Sequence, residues 1–185
     1  MLHWIKQLDE TTASFKTQFG NLTAQELNWK PNANTWSIAQ NIDHLIVINR
    51  TYFPILDALQ TGKYAPPFLA KIGFISNFLG NMIYDSVKPE NKKKIRTFSI
   101  WEPATSQIKG DILTQFEQHQ IELKNAIIAA VPFIEKGQVI HSPANKNIVY
   151  KLDKAFDVIV AHEIRHLEQA KEVQVLLKKH KGTHT

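Results

Sequence analysis

The chain has 185 residues, a formal net charge of +5 and no cysteine. This length favours one domain, residues 1–185, with a core large enough to fold without disulfides. The absence of cysteine excludes a disulfide framework, a thiolate metal site and a cysteine nucleophile, and it fits a reducing cytoplasm.

No segment has the composition of a targeting sequence or a membrane span. Residues 1–10 include acidic residues and lack a long apolar run, so we interpret them as the start of the first helix. The most apolar stretch, residues 68–84, is interrupted by lysine, glycine and asparagine and is too short to cross a bilayer. We therefore expect a cytoplasmic protein with no membrane partner.

Four segments have the periodicity of amphipathic helices, and no segment shows the alternation typical of a strand. The first helix is predicted over Leu2–Phe19, with Leu2 on the inner face, because apolar residues recur every three or four positions until Gly20. The second helix is predicted over residues 36–60. Ser37 or the preceding threonine can cap it, and Pro54 should kink or break it.

The third helix is predicted to begin within residues 103–106 and to end near residue 130, with Ile108 on its inner face. A long connection, residues 133–149, follows it. The fourth helix is predicted over residues 152–179. Together these segments predict an all-α four-helix bundle.

An insertion, residues 62–105, separates the second and third predicted helices. A structureless loop of this length would be unusual in a compact domain. Its apolar residues have helical spacing, which predicts a short helix or a pair of helices that cover part of the bundle. The insertion could equally form a lid or the contact of a homodimer.

Two basic runs, Lys92–Arg96 and Lys178–Lys181, supply much of the net charge. Such runs can contact nucleic acid or anionic lipid. Since no nucleic-acid-binding motif accompanies either run, we interpret them as a solvated loop and a frayed helix end, and we expect no nucleic-acid partner.

His162 and His166 are candidate metal ligands. A four-residue spacing places both imidazoles on one face of the fourth helix, where they can chelate one ion, although the same spacing also occurs by chance on solvated faces. His44 on the second helix is either a buried core residue or a third ligand from a facing helix. We interpret the remaining histidines as surface or loop residues: His3, His119, His141, His180 and His184.

The segment His162–His166 also matches the metalloprotease motif H-E-x-x-H, with Glu163 as general base. Such proteases need a third ligand, usually downstream, and a sheet edge for the substrate, and the sequence indicates neither. Protease activity is therefore disfavoured. Glu163 could serve as a base in another hydrolysis, or it could be a surface carboxylate paired with Arg165 or near Lys171.

Two sequence blocks together resemble the DinB-like proteins. Trp36–Leu45, WSIAQNIDHL, is similar to the family segment W-S-x-x-[QE]-x-x-x-H-L, and His162–Gln169, HEIRHLEQ, is similar to H-x-x-[RH]-H-x-x-Q. His141 and Pro143 stand where the family often has a histidine–proline pair before the last helix. The order of helices agrees over nearly the whole chain, and the insertion is least covered.

The resemblance implies a DinB-like four-helix bundle in which His44, His162 and His166 bind one divalent metal ion. The ion in this family is usually zinc or nickel, and sometimes iron or manganese. Gln40 and Gln169 could form hydrogen bonds around the site, although exposed helix glutamines are commoner.

The family includes thiol-dependent transferases, which add a low-molecular-weight thiol to an electrophile, and proposed metal-dependent hydrolases. The resemblance thus implies an S-transferase or hydrolase with a small-molecule substrate, and the sequence identifies no acid or base for it. The alternative is a non-catalytic metal-binding bundle with a stress-related binding or scaffold role. Nucleic-acid binding is suggested only by charge and by the family's link to DNA damage.

Overall fold

The structure, a computed structural model, describes residues 1–91, 97–103, 107–108 and 111–182. The helices of these ranges are α1 (Leu2–Phe19), α2 (Ala24–Asn28), α3 (Ile38–Arg50), α4 (Phe53–Gln60), α5 (Gly73–Val87), α6 (Ile112–Ala129), α7 (Val131–Glu135) and α8 (Leu152–Gly182). This confirms the all-α class and the helical insertion, which is α5. The basic run Lys92–Arg96 and His184 lie outside the described ranges.

Capping boxes begin α2 and α3. The Ser37 hydroxyl accepts a hydrogen bond from the Gln40 backbone N–H at 3.0 Å, and the Gln40 side chain accepts one from the Ser37 backbone N–H at 3.1 Å. These bonds satisfy backbone donors that a helix start leaves without partners. His44, seven residues after Ser37, therefore lies two turns into a helix with a fixed start.

The second predicted helix is broken, as Pro54 indicates. Helix α3 ends at Arg50, and Pro54 lies in the first turn of α4. Proline has no N–H to donate to the carbonyl four residues earlier, whereas a first turn does not need that donor.

The predicted start of the third helix is wrong. Helix α6 begins only at Ile112, where the Asp111 carboxylate accepts a hydrogen bond from the Thr114 backbone N–H at 3.2 Å. Ile108 precedes the helix, because the Asn28 side chain bonds both its N–H, at 2.8 Å, and its carbonyl, at 3.1 Å.

The connection before α8 contains a small antiparallel hairpin, which the sequence did not predict. Strands β1 (Val139–His141) and β2 (Val149–Lys151) pair Ile140 with Tyr150. Three residues are too few to establish a period of two, so this alternation could not be distinguished from a loop.

Helix α8 follows the hairpin and runs to Gly182, slightly beyond its predicted end. Its last turns pack on the body of the protein rather than fraying, since His180 stacks on Trp29 with ring centroids 5.5 Å apart. In the parts of the chain that the structure describes, no helix combines the length and apolar character needed to cross a bilayer.

Four helices, α1, α3, α6 and α8, close a ring around the core. Helix α1 packs on α6 and α8, and α3 packs on the same two helices. Leu8, Phe15 and Phe19 of α1 are fully buried, whereas Leu2, which was predicted on the inner face, is 79% exposed at the helix end. This ring brings α3 and α8 side by side, which is the contact that the candidate site requires.

Helix α5 lies across β2 and α8 and presents small residues to them. Ser76 and Gly80 are its buried residues. A Cβ atom on Gly80 would lie 2.9 Å from Lys154 Cγ and 3.0 Å from Tyr150 Cβ, closer than ordinary packing allows. The approach of α5 to β2 therefore depends on a glycine at position 80.

We expect Gly80→Val to lower the free energy of unfolding by about 1–3 kcal/mol, because the added methyl groups overlap β2 and α8. Urea unfolding followed by circular dichroism measures this change. The matched control is Gly73→Ala at the first position of α5, where an added Cβ meets nothing within 4 Å. The control should stay within about 0.5 kcal/mol of the unsubstituted protein, and equal losses in both variants would contradict the explanation.

The prediction that His119 is a surface or loop residue is wrong. His119 lies on the inner face of α6 with 0% exposure, and its ring centroid is 5.7 Å from that of Phe53. Neither ring nitrogen has a hydrogen-bond partner among the residues that the structure describes. Burial, with a smaller contribution from the charge of Arg50, lowers the pKa of His119 to about 4.

We expect the protein to lose stability as the pH falls from about 6.5 towards 4, in part because of His119. In this range the unfolded chain protonates the histidine while the folded protein does not, so acid favours unfolding. His119→Leu should reduce the loss of unfolding free energy between pH 7 and pH 4 by about 2–3 kcal/mol. Urea unfolding at several pH values measures the difference, and an unchanged pH dependence in the variant would refute it.

Candidate metal centre

Three histidines converge between α3 and α8. The Nε2 atom of His162 lies 3.4 Å from that of His44 and 3.1 Å from that of His166. One nitrogen from each ring lies within 4.8 Å of the other two, an arrangement that could hold a metal ion. The structure thus brings together all three histidines that the sequence indicated as candidate ligands.

Hydrogen bonds at Nδ1 orient two of the rings. His44 Nδ1 donates to the Trp101 carbonyl at 2.6 Å, and His166 Nδ1 donates to Asn41 Oδ1 at 2.8 Å. The Asn41 amide is itself oriented, because its Nδ2 donates to the Ser37 carbonyl at 2.8 Å. Since both partners at Nδ1 can only accept, the protons stay there and the Nε2 lone pairs remain available to a ligand.

Burial keeps the three rings neutral. It lowers the pKa of His44, and it lowers the pKa values of His162 and His166 well below the usual range. Repulsion between the rings lowers the pKa values of His162 and His166 further, because protonating one imidazole disfavours a positive charge on its neighbour. Metals bind the neutral form of imidazole, so this donor set fits a divalent ion that accepts nitrogen ligands.

Trp36, from the first sequence block, borders the three histidines. Its ring stacks on His166 with a 5.8 Å centroid separation and an interplanar angle of 19°, and its centroid lies 4.8 Å from that of His44. Trp36 also lines a cavity of about 350 Å³. A volume of this size is typical of a site for a small molecule. The cavity is lined by Lys30, Ala33, Asn34, Trp36, Gln40, Thr97, Glu102 and Pro103.

Glu163 is fully buried, so its interpretation as a surface carboxylate is wrong. Its Oε1 accepts from Asn49 Nδ2 at 2.7 Å, and both its oxygens accept from Gln120 Nε2 at 2.9 Å. Burial raises the pKa of Glu163 to about 7, and the two amides oppose this rise. These hydrogen bonds connect α8 to α3 and α6. Because the buried carboxylate oxygens accept from the two amides, the structure does not support Glu163 as the general base of an H-E-x-x-H site.

The remaining residues of the sequence motifs lie around the site or away from it. Gln40 is buried, whereas glutamines on helices are more often exposed. Its side chain caps α3 by accepting a hydrogen bond from the Ser37 backbone N–H. Gln169 is half-buried on α8. His141 lies on β1 with its Nδ1 3.0 Å from the Ser142 carbonyl, and it is not among the three converging histidines.

Sequence reasoning missed the two residues that orient the rings. Asn41 lies three positions before His44, on the same face of α3, so helical spacing could have identified it. Trp101 contributes a main-chain carbonyl, for which the sequence carries no side-chain signal.

A family model described as the DinB superfamily matches residues 7–170. Searches of curated proteins and of solved structures found no match. The matched range begins in α1 and ends in α8, and it includes the three converging histidines. The chain therefore belongs to the DinB superfamily.

Proposed function

We propose that this protein is a metal-dependent enzyme that acts on a small molecule, as a thiol-dependent S-transferase or a hydrolase. In this proposal His44, His162 and His166 bind one divalent ion. The observation that carries it is the convergence of three Nε2 atoms whose rings are neutral and, for two of them, held by hydrogen bonds at Nδ1.

Zinc and nickel are the ions that we favour, and iron or manganese would also accept these nitrogen donors. A divalent ion at this position supplies a Lewis acid that lowers the pKa of a coordinated water or thiol. The Trp101 carbonyl and the Asn41 amide keep His44 and His166 in one tautomer and one orientation.

The number of ligands favours an enzyme over a structural metal site. Structural zinc sites are usually closed by four protein ligands, whereas catalytic sites use three and keep a position for water or substrate. Within the described residues, the converging group contains three donors. This argues against the alternative of a non-catalytic metal-binding bundle with a stress-related role.

The cavity beside Trp36 supports a small polar substrate. Lys30 and Glu102 place charges of both signs on its wall, and Asn34 and Gln40 add amide groups. Because the chain has no cysteine, the sulfur of a transferase reaction would come from a low-molecular-weight thiol. A cytoplasmic location, a homodimer and a single domain of residues 1–185 stay predictions from the sequence.

We expect the purified protein to carry about one divalent ion per chain and His162→Ala to lose most of it, because two imidazoles hold an ion weakly. Elemental analysis after purification without chelators measures the occupancy. The matched control is His3→Ala, since His3 is an exposed histidine on α1. Full occupancy in His162→Ala, or equal losses in both variants, would refute the ligand assignment.

We expect the metal-loaded protein to consume a small thiol in the presence of an electrophile, or to hydrolyse a small ester or amide. His162→Ala should lower kcat/KM by about 100-fold or more, since losing a ligand should cost at least as much as losing an outer-shell partner. His3→Ala should keep full activity. A fully metal-loaded protein without turnover on panels of thiols, electrophiles and hydrolase substrates would favour the non-catalytic alternative.

A further inference from the structure

A short 3₁₀ helix of the insertion, Ser99–Trp101, packs on α3 beside the candidate metal centre. We name it the 99–101 turn. Trp101 at its end is only 9% exposed, whereas Phe98 and Ile100 are 50% and 56% exposed. The Trp101 side chain therefore anchors the turn to the body of the protein.

Trp101 contacts α3 at two positions. Its carbonyl accepts a hydrogen bond from His44 Nδ1 at 2.6 Å, and its indole Nε1 donates one to Thr51 Oγ1 at 3.3 Å. His44 and Thr51 are seven residues apart, which is about two helical turns and places them on the same face. The main chain and the side chain of one residue thus bind two sites along the face that carries a candidate ligand.

The Thr51 hydroxyl is oriented to accept from the indole. Its own proton is donated to the Ile48 carbonyl at 2.5 Å, so its lone pairs stay available, and an indole N–H can only donate. The turn itself is closed by a hydrogen bond from the Trp101 N–H to the Phe98 carbonyl at 2.9 Å. A carbonyl in so short a turn keeps its position only while the indole of the same residue stays in place.

The position of that carbonyl determines which nitrogen of His44 carries the proton. A neutral imidazole has one N–H, and the hydrogen bond at one nitrogen selects the tautomer. With the Trp101 carbonyl at Nδ1, the proton stays on Nδ1 and Nε2 keeps its lone pair. If the carbonyl moved away, the tautomer with the proton on Nε2 would become populated, and that tautomer has no lone pair directed at the other two histidines.

We propose that Thr51 is a positioning residue for the metal centre. Through the indole of Trp101, it holds the Trp101 carbonyl at His44 Nδ1 and so keeps Nε2 of His44 free of a proton. The use of Nε2 as a metal ligand rests on the proposed function, whereas the control of the tautomer by Thr51 needs no metal. The two parts can therefore be tested separately.

Nitrogen-15 NMR of the metal-free full chain at neutral pH measures the tautomer, because protonated and unprotonated ring nitrogens have well-separated chemical shifts. The His44 signals are assigned by their loss in His44→Gln. The unsubstituted protein should show the proton on Nδ1. Thr51→Val removes the hydroxyl and keeps the shape of the side chain, so it should raise the population of the other tautomer about tenfold, the effect of losing one ordinary hydrogen bond.

Two further variants separate this effect from a general loss of packing. Thr51→Ser restores the hydroxyl and should restore the tautomer of the unsubstituted protein. Thr12→Val is the matched control, because Thr12 is also half-buried and also donates its hydroxyl proton to a helix carbonyl, that of Leu8 at 2.7 Å, but lies on α1. It should leave His44 unchanged, and an equal change in both valine variants would overturn the proposal.

Trp101→Phe removes the same hydrogen bond from the donor side. If Thr51 acts through the indole, the double variant Thr51→Val with Trp101→Phe should have the same tautomer ratio as either single variant. Additive effects would contradict the proposal. Circular dichroism establishes that each variant folds, and either single variant alone still tests the effect on His44.

The affinity for zinc, measured by competition with a chelator, is the second readout. Thr51→Val should weaken zinc binding by about tenfold, as expected for a group that orients a ligand, whereas Thr51→Ser and Thr12→Val should not. An unchanged tautomer in Thr51→Val would overturn the positioning role even if the protein binds zinc. A shifted tautomer in a protein that binds no zinc would support the positioning role and contradict the proposed function.

Discussion

The candidate site depends on where the protons of His44 and His166 lie. Each ring donates from Nδ1 to an oxygen that can only accept, and each Nε2 lone pair is then free to face the centre. Exchanging the tautomers would remove both hydrogen bonds and turn an N–H towards the other rings. The arrangement therefore needs Asn41, on the same helix as His44, and the Trp101 carbonyl, which belongs to the insertion. The insertion is the part of the chain that the family resemblance covers least. It nevertheless supplies one of the two groups that orient the ligands.

The buried carboxylate of Glu163 ties together the helices that carry the histidines. It lies next to His162 in sequence, yet it reaches Asn49 on α3 and Gln120 on α6. Burying an ionised group is unfavourable unless hydrogen bonds compensate, which is why burial raises the pKa of Glu163 and the two amides oppose the rise. Removing either amide would leave the carboxylate less compensated, so the three helices are coupled through one polar contact. This contact favours a single register of α8 against α3, and with it a single geometry of the imidazoles.

The sequence predicted the elements that local chemistry determines, and it failed where tertiary contacts decide. The ends of α1, the cap at Ser37 and the break at Pro54 follow from short-range rules and were confirmed. The start of α6 depends on Asn28, which is distant in sequence and whose side chain hydrogen-bonds the main chain of Ile108. His119 and Gln120 of α6 are both buried, although His119 was predicted to be a surface or loop residue. The sequence alone does not show that a polar residue on one helix forms a hydrogen bond with a residue on another helix. For the same reason the sequence did not predict that Glu163 is buried.

Helix α5 and the three histidines are linked through α8 but use different chemistry. The Arg165 guanidinium, between His162 and His166, donates to the Ser86 carbonyl near the end of α5 at 2.7 Å. The inner side of α5 is therefore used for packing and for this bond, while Phe74, Phe78 and Met82 on its outer side are exposed. The close approach at Gly80 excludes a larger residue at that position, whereas Ile83 of the same helix packs on the core. The position of Arg165, between two of the three converging histidines, therefore depends on how α5 packs on α8.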